Sequence, residues 1–165
     1  APAVNAPRID TTKITWMSWD EVQVAMKKEP RKVWVDIYTD WCGWCKRMDK
    51  TTFSNTDVIK YMNTKFYAVK FNAEKPEDIM LLGKMYKYNA DNKINELAMQ
   101  LMRGQLSYPT SVFMEENFQN PNPIPGYLPV SQIEAILKFL GEGIYKSQKW
   151  EDYQKTFTGT WKEAM

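Results

Sequence analysis

Apolar residues gather in two short, nearly unbroken runs, Lys32–Thr39 (KVWVDIYT) and Phe66–Asn72 (FYAVKFN), both rich in β-branched and aromatic side chains. Runs of this kind predict strands covered on both faces of a sheet. Between them the spacing becomes helical, over Lys46–Phe53 and then from a cap at Ser54 or Asn55 to about Met62. Strand, helix and strand in that order make a βαβ unit, so the two strands are expected to be parallel neighbours. Upstream, Ile14–Trp16 predicts a short strand, and Ser18-Trp19-Asp20-Glu21 fits a capping box. The helix it opens runs to about Lys28 and is stopped by Pro30.

The second half is more broken. Asp78–Asn89 (DIMLLGKMYKYN) has Gly83-Lys84 between two short runs. A type II′ hairpin with Gly83 first in the turn is preferred over a helix starting at Pro76. Ile94–Arg103 predicts a helix ended by Gly104. Ser111–Glu115 predicts a strand, Glu116–Pro123 a turn, and Ile124–Tyr127 a strand closing an antiparallel pair. Pro121–Pro129 (PNPIPGYLP) reads as an edge turn and helix lead-in rather than a proline-rich ligand. Ser131 is expected to cap a helix over Gln132–Leu140, and a last helix spans about Gln148–Phe157, with Trp150, Tyr153 and Phe157 on one packing face. The class is α/β, with no repeat and no second domain.

Composition narrows the function classes. The 165 residues suffice for one core, and the net charge of +2 without a basic run gives no footprint for nucleic acid and no polybasic membrane anchor. No stretch is long and apolar enough to span a bilayer, so a soluble monomer is expected. The ten Met, scattered at helical spacings, read as core filling. Residues 1–12 begin Ala-Pro-Ala without Met and read as a flexible tether. A mature exported protein would begin this way, as would a trimmed chain. An extracytoplasmic protein, periplasmic or secreted, is the preferred expectation and a cytoplasmic one the alternative.

The chain has no His, which excludes every mechanism that needs imidazole. It has two Cys, at 42 and 45, a pair too closely spaced to restrain much of the unfolded chain. A structural zinc needs four ligands, and two thiols without imidazole do not supply them. No metal or cofactor is therefore expected, although a metal shared between two chains uses the same spacing.

The pair falls where a buried strand meets a helix. Unpaired N–H groups and the positive end of the helix dipole favour anionic sulfur there. Lowering a thiol from about 8.5 to about 7 raises its thiolate fraction at neutral pH roughly sixteen-fold, while falling nucleophilicity returns a factor of about five. The net gain in attack is a few-fold, and the larger effect is that such a thiolate also leaves well. Asp36, within a buried apolar strand, is expected to have a raised pKa unless paired, which makes it a candidate proton acceptor.

Val35-Asp36-Ile37-Tyr38-Thr39-Asp40-Trp41-Cys42-Gly43-Trp44-Cys45-Lys46 resembles the active-site strand and motif of the thioredoxin superfamily. Val69-Lys70-Phe71-Asn72, Tyr108-Pro109-Thr110 and Gly126 extend the resemblance over roughly residues 30–141. It implies a thioredoxin fold, a central mixed sheet flanked by helices, in a single domain over 13–165. The β-hairpin plus helix at about 76–104 then becomes an insert, and about 142–165 a C-terminal helical extension. The larger thioredoxin-like proteins of the bacterial cell envelope, including the periplasmic C-terminal domain of the membrane disulfide reductase, are similar.

The resemblance also implies roles. Cys42 would attack and Cys45 resolve, Asp36 would move the resolving proton, and Lys70 would pair with Asp36. Trp41, Gly43, Trp44, Tyr108, a cis Pro109 and Thr110 would meet the substrate. The partners would be disulfide-containing proteins and a thiol electron donor. Trp44 departs from the Pro of thioredoxin and the His of the disulfide isomerases, which favours a reductant or mild exchanger over a strong oxidant. A redox-inactive binding or scaffold module is the alternative.

Overall fold

The structure, a computed structural model, describes residues 9–163, so the first eight residues of the expected tether lie outside it. The described remainder of that tether is held. Asn63 donates from Nδ2 to the carbonyls of Asp10 and Lys13, at 2.7 and 2.8 Å, and accepts from the Thr15 amide.

Strand β1 (Trp16–Met17) leads into α1 (Trp19–Lys28), β2 (Lys32–Tyr38), α2 (Gly43–Lys50), α3 (Thr56–Lys65) and β3 (Phe66–Asn72). A small strand group follows, β4 (Ile79–Leu81), β5 (Lys84–Tyr86), β6 (Tyr88–Asn89) and β7 (Ile94–Asn95), then α4 (Glu96–Leu101). Strands β8 (Thr110–Glu115) and β9 (Gln119–Pro125) and helices α5 (Val130–Gly141) and α6 (Trp150–Thr156) complete the chain. The main sheet has the order β1-β3-β2-β8-β9. Strands β1 and β2 run parallel to β3, while β8 is antiparallel to β2 and β9 to β8. This is the mixed α/β sheet of a thioredoxin fold.

Side-chain alternation along β2 sets the two layers. Val33, Val35 and Ile37 face one core, shared with Trp19, Val22 and Met26 of α1 and Leu97, Ala98 and Leu101 of α4. Trp34 faces the other core, against Met48 of α2, Val58, Ile59 and Met62 of α3, and Ile133 and Leu137 of α5. Asp36 shares the Trp34 face by the same period of two, which turns a carboxylate toward the α2 layer. The residue beside it in register is Lys70 of β3.

Several predicted boundaries shift for identifiable reasons. Helix α2 starts at Gly43, three residues before Lys46, because Cys42 itself caps it, and it gives way to a 3-10 turn at Thr52–Ser54. Helix α4 loses its predicted first two residues, Ile94 and Asn95, to strand β7, and Asn95 caps it instead. The hairpin turn is Leu82-Gly83, since Leu81 pairs with Lys84, and both turn residues have positive φ, 51° and 79°. That is the I′ pattern, one residue earlier than the predicted II′ turn.

The expected turn over Glu116–Pro123 shrinks to Glu116–Phe118, and its prolines belong to β9. Gly126 donates its amide to the Pro109 carbonyl, so the even positions of β9 turn their amides toward β8. Pro123 and Pro125 therefore point their N–H-less nitrogens away from the sheet, where an edge strand tolerates them. Helix α5 begins at Val130 with Pro129 before it, not with Ser131 as cap, because a proline nitrogen costs nothing at a helix start.

Candidate active site

Cys42 is the N-cap of α2, with extended backbone at φ −79° and ψ 110°. Its Sγ accepts the backbone N–H of Cys45 at 3.1 Å, the place a Ser or Asp oxygen fills at ordinary helix starts. Cys42 and Cys45 are joined by a disulfide with Cα atoms 5.3 Å apart. No acidic residue lies in the first turn of α2, while Arg47 and Lys50 lie in its last. A thiolate released at position 42 would meet the same N–H and the same helix end, and both lower its pKa.

In this oxidised form neither sulfur is open. Cys42 and Cys45 are 4% and 2% exposed, whereas Trp41 and Trp44 beside them are 66% and 58% exposed. The sulfur of Cys42 is thus covered in the disulfide-bonded form. The two tryptophans are held differently. Trp41 donates from Nε1 to Glu74 Oε1 at 2.8 Å and stands edge-on to Tyr108, centroids 5.8 Å apart. Trp44 packs on Tyr127 at 5.5 Å beneath the Arg47 guanidinium, and Tyr127 shares a hydrogen bond with the Thr51 hydroxyl.

The Trp41–Tyr108 contact brings the Tyr108–Pro109 loop to the Cys pair, and the peptide between those two residues is cis. Pro109 is buried, and its carbonyl accepts from Gly126 at 2.8 Å. Thr110 is 1% exposed, and its hydroxyl donates to the Ser107 carbonyl at 2.6 Å and shapes the loop, so any contact with a substrate falls to its backbone. Gly43 has an ordinary φ, and a Cβ there would find open space, so its conformation does not require glycine.

Below the helix, Lys70 Nζ donates to Asp36 Oδ2 at 2.6 Å and to Asp49 Oδ1 at 2.5 Å. The ammonium also sits over the rings of Trp16, Tyr38 and Phe53. Asp36 is 1% exposed, and its Oδ1 has no hydrogen-bond partner among the described residues. Burial raises its pKa to about 6 although Lys70 pulls the other way. For Lys70 burial opposes the charge, but the two carboxylates outweigh it and raise its pKa. Asp49, Glu74 and Tyr127 were not singled out from the sequence. Only Asp49 had a legible signal there, four positions after Cys45 and therefore on the same helix face. Among the described residues no cluster of three or more Cys, Asp or Glu could hold a metal ion.

The family model Thioredox_DsbH, described as protein of unknown function, DUF255, matches residues 8–164. The chain belongs to this family. It is 29% identical over 136 residues to the thiol:disulfide interchange protein DsbD of Haemophilus ducreyi, covering 81% of the chain and 21% of that protein. The curated relatives it matches are much longer, and the chain spans only a tenth to about a fifth of their length. Among solved structures, a thioredoxin-fold protein from Helicobacter pylori superposes with a TM-score of 0.54 at 21% identity, over 76% of this chain and 78% of that one. A DsbH oxidoreductase gives 0.53 at 16% identity, over 84% and 94%. At such identities these two matches show the fold alone. In this fold the Cys42–Cys45 disulfide stands at the N-terminal end of α2, beside the cis Tyr108–Pro109 loop.

Proposed function

We propose that this domain reduces or exchanges disulfides in protein substrates, with Cys42 as the attacking thiolate and Cys45 as the resolving thiol. The observation that carries this reading is the position of Cys42, whose sulfur takes the capping hydrogen bond of α2. In the reduced protein the Cys42 sulfur attacks a substrate disulfide, forming a mixed disulfide and releasing one substrate thiolate. The Cys45 proton passes to Asp36 as the Cys45 sulfur attacks Cys42. The internal disulfide forms, and the second substrate sulfur leaves. Two electrons move to the substrate, and a thiol donor must return them.

Lys70 holds Asp36 within the site, and the Tyr108–Pro109 loop offers backbone to an extended substrate segment. Trp41, Trp44 and Tyr108 give such a segment an apolar wall, with Gly43 leaving the approach open. With no His in the motif to stabilise the thiolate further, a reductant or mild exchanger is favoured. The likeness to thiol:disulfide interchange proteins supports an extracytoplasmic place, periplasmic or secreted, and residues 13–165 are read as one domain. No helix among the described residues is long and apolar enough to cross a membrane.

Reduction of insulin, followed by precipitation of its B chain, tests the reading. The wild-type chain is expected to turn over with a dithiol donor. Trp44→Ala is expected to slow insulin several-fold more than it slows a small aromatic disulfide. An unchanged ratio of the two rates would remove the apolar wall from the account, and no turnover by the wild type would remove the reading itself.

A further inference from the structure

Buried carboxylates beside a lysine ordinarily form closed pairs, in which the ammonium neutralises the acid and leaves it a poor base. Lys70 is not closed on Asp36. Its ammonium lies 2.6 Å from Asp36 and 2.5 Å from Asp49, and the exposures differ sharply, 1% for Asp36, 21% for Lys70 and 45% for Asp49. The three groups form a line from the buried floor of the sheet, through one ammonium, to the solvent-facing side of α2. Asp49 is also four residues after Cys45 on that helix, so the carboxylate that shares Lys70 stands one turn from the resolving sulfur on the same face.

We infer that Asp49 is a positioning residue for the redox centre, dividing the Lys70 ammonium so that Asp36 keeps enough proton affinity to take the proton of Cys45. This rests on the function proposed above. Two effects act together. Asp49 draws the ammonium part-way off Asp36, and its own negative charge disfavours a second charge nearby. The geometry supports both, because three aromatic rings cage the ammonium and leave it the two carboxylates as partners.

The charged groups that act on Asp36 are few. Lys70 comes from β3 and Asp49 from α2, and burial raises Asp36 while Asp49 raises it further and Lys70 lowers it. Tyr38 stands along its own strand, and β8 offers only the neutral Ser111 opposite. Removing Asp49 therefore pushes Asp36 in one direction by both routes, toward stronger acidity.

The test is the titration of the Asp36 carboxyl carbon, followed by 13C NMR on the oxidised chain and assigned with Asp36→Asn. Asp49→Asn is expected to lower the midpoint by about one pH unit, and Asp49→Glu to return most of it. An unmoved midpoint in Asp49→Asn, or no recovery in Asp49→Glu, would overturn the inference. The measurement needs no turnover, so an inert wild type in the insulin assay would count against the redox reading and leave this result to be judged separately.

Discussion

Cys42→Ser is expected to lose disulfide turnover by at least about a thousandfold, to the uncatalysed background. Serine is among the best N-cap residues, so its hydroxyl can accept the Cys45 amide as the sulfur does, and α2 should stay in place. The loss would then be chemical, a nucleophile removed from an intact scaffold, and a circular dichroism spectrum like the wild type's would establish this. Cys45→Ser has a different signature. Attack by Cys42 is retained, but nothing releases the captured chain, so a mixed disulfide accumulates and is seen on non-reducing gels. Turnover surviving in Cys42→Ser, or no trapped species in Cys45→Ser, would break the assignment of roles.

The second large effect is on stability, and it lies far from the sulfurs. Glu134 of α5 is fully buried and receives Lys138 Nζ at 2.7 Å, the Thr160 amide at 3.0 Å and the Trp161 amide at 2.9 Å. Gly159 lies close enough that a Cβ there would fall 2.7 Å from Glu134 Oε1, so the tail closes tightly over the carboxylate. One acid thus fastens the C-terminal tail to the domain, and Lys138 then covers the Trp161 ring. Glu134→Ala leaves a part-exposed ammonium and two tail amides without their acceptor, which costs about 2–3 kcal/mol. That lowers Tm by roughly 5–10 °C for a chain of this size.

The pH dependence has a definite sign. Burial pushes the Glu134 pKa up, but the hydrogen bonds from Lys138, Thr160 and Trp161 together outweigh it, and the folded value lies below the ordinary 4.5. The stabilisation is therefore complete above about pH 4.5 and is lost as pH falls through the lower folded value. The Tm gap between wild type and Glu134→Ala should be widest at pH 7 and narrow toward pH 3. Equal melting temperatures at pH 7 would show that the tail is held by other contacts.

How much of this was legible in the chain depends on how local the signal is. The β2 and β3 runs, the Ser18 cap and the Cys pair are written in consecutive residues, and their elements appear where read. The Asp36–Lys70 pair, carried from the family resemblance, needed only two parallel strands in register. Glu134 and Lys138 stand four apart, a spacing equally common on solvent-facing helix surfaces. Their burial depends on a tail that returns from residue 160, which no local pattern announces. Glu74 and Tyr127 reach the tryptophans from loops distant in sequence, so only the folded chain brings them there. The prolines of β9 misled because proline reads as a turn, whereas an edge strand leaves every second nitrogen without a ladder partner.

The proposed function requires that the Cys42–Cys45 bond opens and closes as a unit. The direct measurement is an equilibrium titration in dithiothreitol buffers of graded potential, with thiols counted by alkylation and mass. One two-electron transition is expected, both thiols appearing together, with a midpoint at or below about −250 mV. A bond that never opens, or two thiols that alkylate independently as ordinary cysteines, would contradict the account.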